Sequence, residues 1–303
     1  MAFQQTIKKP VAVSGIGLHT GVKVTLRLVP APAGTGIVFR RVDLEGFEVE
    51  AHARNIARVS YATSLMKKGV LISTTEHLLA TLYAFGIDNV YAELDSLEVP
   101  ILDGSARPFV EMLEEAGRQR QRRRRGYLQM IRPVEIVEGD RRIAIHPAGC
   151  FDVHCTIDFS HPLVGRQELQ LEVNEDSFIR VLAEARTFGF MDDVERLRRV
   201  GLIRGGSLEN AIVLTRTGLL NGTGLRFPDE FCRHKALDLI GDLALLGKRL
   251  IGHVEAYKAG HAMHTALVIR LLRDRSLWRE VKAVEPSFAS APRAQTAPIL
   301  AAE

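Results

Sequence analysis

The chain has 303 residues, 46% hydrophobic and 25% charged, with a formal net charge of +4, which is length enough for two domains that each bury a core. No apolar run approaches the ~20 residues that span a bilayer, and the opening residues Met1 to Pro10 lack a signal-peptide apolar centre, so the expectation is a cytoplasmic globular protein. Cys150, Cys155 and Cys232 form no C-x-x-C pair, which argues against a disulfide framework and a thiolate zinc knuckle.

In chain order, Val11 to Ser14 and Val22 to Val29 alternate as strands of a hairpin around Gly15-Ile-Gly-Leu-His-Thr-Gly21. These glycines are not a phosphate loop, because their spacing is G-x-G-x-x-x-G and a strand, not a helix N-terminus, follows. Further strands are expected over Gly36 to Arg40, Val70 to Ser73 and Asn89 to Glu93.

Ser73 to Gly86 reads as a helix with a hydroxyl start, an apolar face of Leu78, Leu79, Leu82 and Phe85, and a glycine stop. Glu76 has two readings there. It is either the return half of a capping box with Ser73, or the partner of His77 in a pair whose imidazole binds a metal and whose carboxylate activates water.

A turn over Pro100 to Pro108 leads into a helix at Arg107 to Ala116. Six arginines among the eight residues Arg118 to Arg125 follow, and they carry the positive excess of the whole chain. They read either as a solvated interdomain linker or as a patch for anionic lipid or nucleic acid; no aromatic lies inside the run to stack on bases, which weakens the nucleic-acid version. The boundary is placed here, giving an N-terminal domain over 1–126, a C-terminal domain over 127–282 and a mobile Ala/Pro/Ser-rich tail over 283–303.

The second half repeats the order of the first: strands at Tyr127 to Val137, Arg142 to His146 and Phe151 to Phe159, a helix near Asp176 to Ala185, a second helix at Phe231 to Asp242, then strands at Leu250 to Ala256 and Ala266 to Leu272. On the second helix His234 and Asp238 are four apart and share a face. They suit either a surface pair or an imidazole and a carboxylate aimed at one cation. Asp242 continues the stripe roughly 12 Å from His234 at about 1.5 Å per residue, which suits a proton relay better than a metal bond. Cys232 points about 160° away from His234 and is left out. Two loops complete the candidates: Ala185-Arg-Thr-Phe-Gly-Phe190, with the Thr187 hydroxyl, and Tyr257-Lys-Ala-Gly-His261 after a strand.

Those two loops, together with Gly15 to Gly21, Ser73-Thr-Thr-Glu-His77, Ile101-Leu-Asp-Gly-Ser105 and Arg233-His-Lys-Ala-Leu-Asp-Leu-Ile-Gly-Asp242, make six ordered motifs. The sequence closely resembles the UDP-3-O-acyl-N-acetylglucosamine deacetylases, zinc enzymes of lipid A synthesis, over roughly residues 3 to 280. The resemblance implies an α+β fold of two similar α/β domains, each a sheet layered with helices, with the helices packed between the sheets. It implies one catalytic zinc on His77, His234 and Asp238, with Glu76 as general base, His261 as general acid backed by Asp242, and Thr187 at the oxyanion. It also places Lys235, Asp158, Phe159, Phe188 and His19 along the substrate path and makes the segment Phe190 to Val213 the wall of an acyl-chain passage. The implied partner is an acylated UDP-sugar, with no nucleic acid, no transmembrane segment, and room for peripheral contact between the arginine run and an anionic membrane. Thr75, where a valine is common, and the strongly basic run depart from the family pattern.

Overall fold

In the computed structural model, which describes residues 2–59 and 61–282, alternating apolar residues build strands whose inner faces close on two helices buried along nearly their whole length. The first half runs β1 (Phe3–Ile7), β2 (Val11–Ile16), β3 (Lys23–Pro30), β4 (Ile37–Arg41), β5 (Phe47–Glu50), a ribbon of β6 (Ile56–Arg58), β7 (Ser64–Lys67) and β8 (Val70–Ile72), then α1 (Glu76–Ala84), β9 (Val90–Leu94), α2 (Arg107–Ala116) and β10 (Arg118–Arg124). The second half runs β11 (Tyr127–Met130), β12 (Val134–Glu138), β13 (Arg141–His146), β14 (Phe151–Phe159), β15 (Gly165–Glu172), α3 (Glu175–Ser177), β16 (Phe188–Phe190), α4 (Met191–Arg199), β17 (Ile212–Leu214), α5 (Glu230–Leu243), β18 (Arg249–Tyr257), α6 (His261–Arg273) and β19 (Trp278–Val281).

Two sheets share one topology. In the first, the order β2-β3-β9-β4-β5 has a single parallel pair, β4 with β9, and antiparallel pairs elsewhere. In the second, β12-β13-β18-β14-β15 repeats that order, with β14 and β18 as its parallel pair; β11 pairs in parallel with the first residues of β18, Arg249–Ile251, ahead of the stretch that meets β14, and β19 pairs with β11. The matching helices are α1 and α5, each preceding the central strand of its sheet, and α2 and α6, each following it.

Every residue of α1 is buried, as are most of those of α5, as expected for helices packed between layers and not at a surface. They touch closely because α5 has a glycine at the crossing: a Cβ on Gly241 would lie 2.1 Å from the Glu76 carbonyl oxygen. A larger residue there would push apart the helices that carry the candidate site.

The structure corrects several sequence expectations. Ser73 and Glu76 form no capping box: α1 starts at Glu76, Thr74 has φ +57°, and the Ser73 hydroxyl bonds Ser64 at 3.0 Å. The turn is thereby bent so that the Glu76 carboxylate faces inward. The helix expected near Asp176 to Ala185 shortens to α3 and a π-helical turn over Phe178–Leu182. Ala266 to Leu272 is not a strand but the body of α6; a short apolar run rich in leucine, valine and isoleucine carries no period that separates the two states.

The arginine run is no linker. It forms β10, antiparallel to β1, and its charges are dispersed: Arg118 pairs with Glu175, Arg120 lies 3.8 Å over the Phe3 ring, and Arg125 pairs with Asp88 at 2.6 Å. The expected tail over 283–303 lies outside the described residues. No helix among the described residues is long and apolar enough to cross a membrane.

Candidate active site

α1 and α5 present their polar residues to each other across the Gly241 crossing. His77 Nε2 lies 3.7 Å and His234 Nε2 3.4 Å from Asp238 Oδ1, and one donor atom from each of the three falls within 4.8 Å of the others. Ligands bonded at about 2.0–2.2 Å around a tetrahedral ion stand roughly 3.3–3.6 Å apart, so these three fit one small dication.

Their protonation suits that role. Burial, and then the neighbouring His234 ring, push His77 down to about 3, and burial likewise lowers His234. Burial acts to raise Asp238, but His234, Lys235 and His261 outweigh it and hold the carboxyl below its ordinary range. The result is two neutral imidazoles and a carboxylate, the forms that bind metal. The Ala185 carbonyl accepts from His234 Nδ1 at 3.0 Å, leaving the Nε2 lone pair free to face the site, and Lys235 Nζ holds the other Asp238 oxygen at 3.0 Å.

Asp242, His261 and His264 also converge, but as a hydrogen-bonded set. Asp242 Oδ2 accepts from His261 Nδ1 at 2.7 Å and from His264 Nδ1 at 2.8 Å, hydrogen-bond distances that leave no space for an ion between. His261 is the first residue of α6, with Gly260 at the cap, so burial and the positive end of the helix both oppose its charge. Asp242 overcomes them, and the imidazole is raised to about 9.

Glu76 lies against the same group. Burial raises its carboxyl to about 7, with Asp238 and Asp242 adding to the rise and His261 opposing it. Its oxygen accepts the Thr63 N–H at 3.1 Å, while the Thr63 hydroxyl bonds Asp242. One residue thus orients Glu76 directly and His261 through Asp242.

Glu76, the three metal-type ligands and His261 face one cavity of about 590 Å³, whose walls include Thr187, Phe159, Phe188, Lys235 and His19. Phe159 packs edge-on to Phe188 with ring centroids 5.9 Å apart, and Phe190 lies 5.6 Å from Phe159. The cavity continues along an apolar wall that includes Leu197, Ile203, Ala211 and Val213, part of the insertion in which α4 crosses between the parallel strands β16 and β17. The imidazole of His19, lowered by burial, keeps a buried Nδ1 with no hydrogen-bond partner, an orphan atom that suits a ligand group.

Asp158 is not brought to this cavity. Alternation along β14 turns it to the opposite face from Phe159, toward Lys258 at 3.9 Å.

The loop carrying Thr187 is fixed by a buried ion pair. Glu230, fully buried, accepts from Arg186 Nε at 2.9 Å and from the Arg186 and Arg226 backbone N–H groups. Arg186→Ala would strand that carboxylate and is expected to lower unfolding free energy by about 3–5 kcal/mol. Denaturant titration checks this; a change below about 1 kcal/mol would mean that solvent reaches Glu230.

Sequence reading missed Thr63 and His264. Nothing in sequence near Thr63 marks it. His264 carried a signal, the i,i+3 spacing from His261, legible only once that segment is known to be helical.

The family model for UDP-3-O-acyl N-acetylglycosamine deacetylase (LpxC) matches residues 4–273. Proteins named UDP-3-O-acyl-N-acetylglucosamine deacetylase are similar throughout: one from Solibacter usitatus (strain Ellin6076) is 55% identical over 92% of this chain and 94% of its own. Another from Myxococcus xanthus (strain DK1622) is 47% identical over 92% and 90%, and one from Geobacter sp. (strain M21) is 48% identical over 95% of each. With near-complete coverage in both directions, the chain belongs to the UDP-3-O-acyl N-acetylglycosamine deacetylase family.

Proposed function

We propose that the protein hydrolyses the 2-acetamido group of UDP-3-O-acyl-N-acetylglucosamine, releasing acetate and the free amine for lipid A synthesis. The observation that carries this reading is the pairing, within one cavity, of a three-ligand metal-type cluster with Glu76 and His261 beside it and an apolar passage leading away. Zinc is the proposed ion, since two imidazoles and one carboxylate are a donor set of catalytic zinc sites. A bound dication supplies Lewis acidity, polarising the acetamide carbonyl and making water more acidic.

The chain's own residues supply the rest. Glu76, held by the Thr63 N–H, takes the proton of the attacking water. The Thr187 hydroxyl, on the cavity wall, donates to the oxyanion. His261, charged through Asp242, gives its proton to the departing amine, which leaves poorly as an anion. Lys235 and the aromatic wall of Phe159 and Phe188 are assigned to the nucleotide-sugar path, with His19 at its edge. Asp158, turned away from the cavity toward Lys258, is left out of that path. The division into domains at 126/127 is part of the same proposal, with His77 drawn from one and His234 and Asp238 from the other.

Single-turnover release of acetate from the acylated UDP-sugar tests the reading. Activity is expected to vanish on chelation and return with zinc, and His234→Ala is expected to lose most of its metal after dialysis while staying folded. Full metal content in that variant, by elemental analysis, would remove His234 from the ligand set.

The acyl passage has its own test. Burial is worth about 0.8 kcal/mol per methylene, so Ala211→Leu, which fills part of the wall, is expected to disfavour chains two methylenes longer by around tenfold relative to shorter ones. An equal loss across chain lengths would show that the wall does not hold the chain.

A further inference from the structure

A second cavity, of about 680 Å³, lies at the opposite ends of the two site helices and shares no lining residue with the first. α1 begins at the site with Glu76 and His77 and reaches this cavity with Tyr83, roughly 9 Å further along its axis; α5 arrives through the turn after it, with Ala244 and Gly247 on the wall.

Charge there is one-sided. Seven arginine and lysine residues line the cavity with three acidic ones, Glu50, Asp88 and Glu280, and each of those carboxylates is already engaged, by Arg54 and Lys67, by Arg125 and by Lys248 respectively. Arg123, Arg124, Arg249 and Lys282 remain, with no carboxylate in ion-pair reach among the described residues. Their four charges equal the formal net charge of the whole chain.

Local structure accounts for only part of this. Arg249 donates one bond to the Tyr83 carbonyl and lies 4.5 Å over the Tyr83 ring, and Arg125 donates to the Gly86 carbonyl at 2.6 Å, so both satisfy the exposed carbonyls ending α1. Arg123 and Arg124 cap nothing. Gly34, at φ +90°, has no side chain, and the Arg123 guanidinium occupies the space its Cβ would take. Uncompensated like charges gathered on a concave wall repel one another, and a bound anion relieves the repulsion. The size is that of a small-ligand pocket.

We propose that this cavity is a binding site for a small phosphate-bearing anion, separate from the catalytic cavity and recognised by Arg123, Arg124 and Arg249 with Lys282 at its rim. Guanidinium forks match phosphate oxygens two at a time. The site does not depend on the reaction proposed above.

Calorimetric titration of the metal-loaded full chain tests it, with ADP and with inorganic phosphate as probes and metal content verified afterwards. Saturable binding that weakens steeply with added salt is expected. Arg123→Ser/Arg124→Ser, at two exposed positions, is expected to weaken it by about tenfold or more, the usual worth of hydrogen bonds to charged groups. Lys282→Ser should weaken it less, and Lys235→Ala, in the catalytic cavity, should leave it unchanged. Tighter binding of ADP than of phosphate identifies a nucleotide site, and equal binding an inorganic-anion site. The proposal is overturned if neither probe binds, if the double variant binds both undiminished with an unchanged unfolding temperature, or if Lys235→Ala abolishes binding.

Discussion

Glu76→Gln is expected to lower kcat on the order of 10²–10⁴-fold, the usual contribution of one positioned acid or base, while the protein keeps its metal. The amide retains the size of the carboxylate and can still meet the Thr63 N–H through its oxygen, so the fold around the site is preserved; only proton acceptance is lost. The native carboxyl must be ionised to act. Burial raises it to about 7, so activity should increase with pH through an acidic limb, and a bound dication, favouring the anion, places that limb below 7. Glu76→Gln should flatten the limb as well as lower the plateau. A variant that is slow because it has lost metal would instead show Glu76 to be a ligand, and elemental analysis separates the two.

His261→Ala is expected to cost a comparable factor and to remove the basic limb. The imidazole must be charged; against burial, Asp242 raises it to about 9, and a bound dication, disfavouring the cation, places the basic limb below that value, so activity is retained at lower pH and falls as pH rises through the limb. Asp242→Asn withdraws the charge that raises His261 and is expected to move the basic limb to lower pH, with metal content unchanged. His264 also donates to Asp242, so the carboxylate keeps one histidine partner when the other is removed. A rate–pH profile of His261→Ala with near-normal plateau and unaltered basic limb would place the general acid elsewhere and leave Glu76 to serve both steps.

What the sequence determined by itself was the local chemistry. An i,i+4 His234/Asp238 pair fixes which side chains share a helical face wherever the helix lies, and alternation placed the strands of both sheet centres, including β14 at Phe151–Phe159, but passed over β1, β5, β6, β7, β10, β15, β16, β17 and β19. The Glu76-His77 pair offered His77 as a third ligand, and the resemblance carried by six motifs agreed with it and implied His261 as the proton donor. Tertiary structure decided the rest. Whether Glu76 caps its own helix or faces a site depended on the backbone at Thr74 and on the Thr63 N–H, thirteen residues away, since a carboxylate takes whichever donors the fold brings to it. The α6 segment took its helical form because packing against α5 and β13 settles what a short apolar run leaves open. The arginine run became a paired strand because β1 supplied its ladder partner from the far end of the domain; a charge run alone states only that its side chains need water or counter-ions, and says nothing of where its backbone hydrogen bonds go.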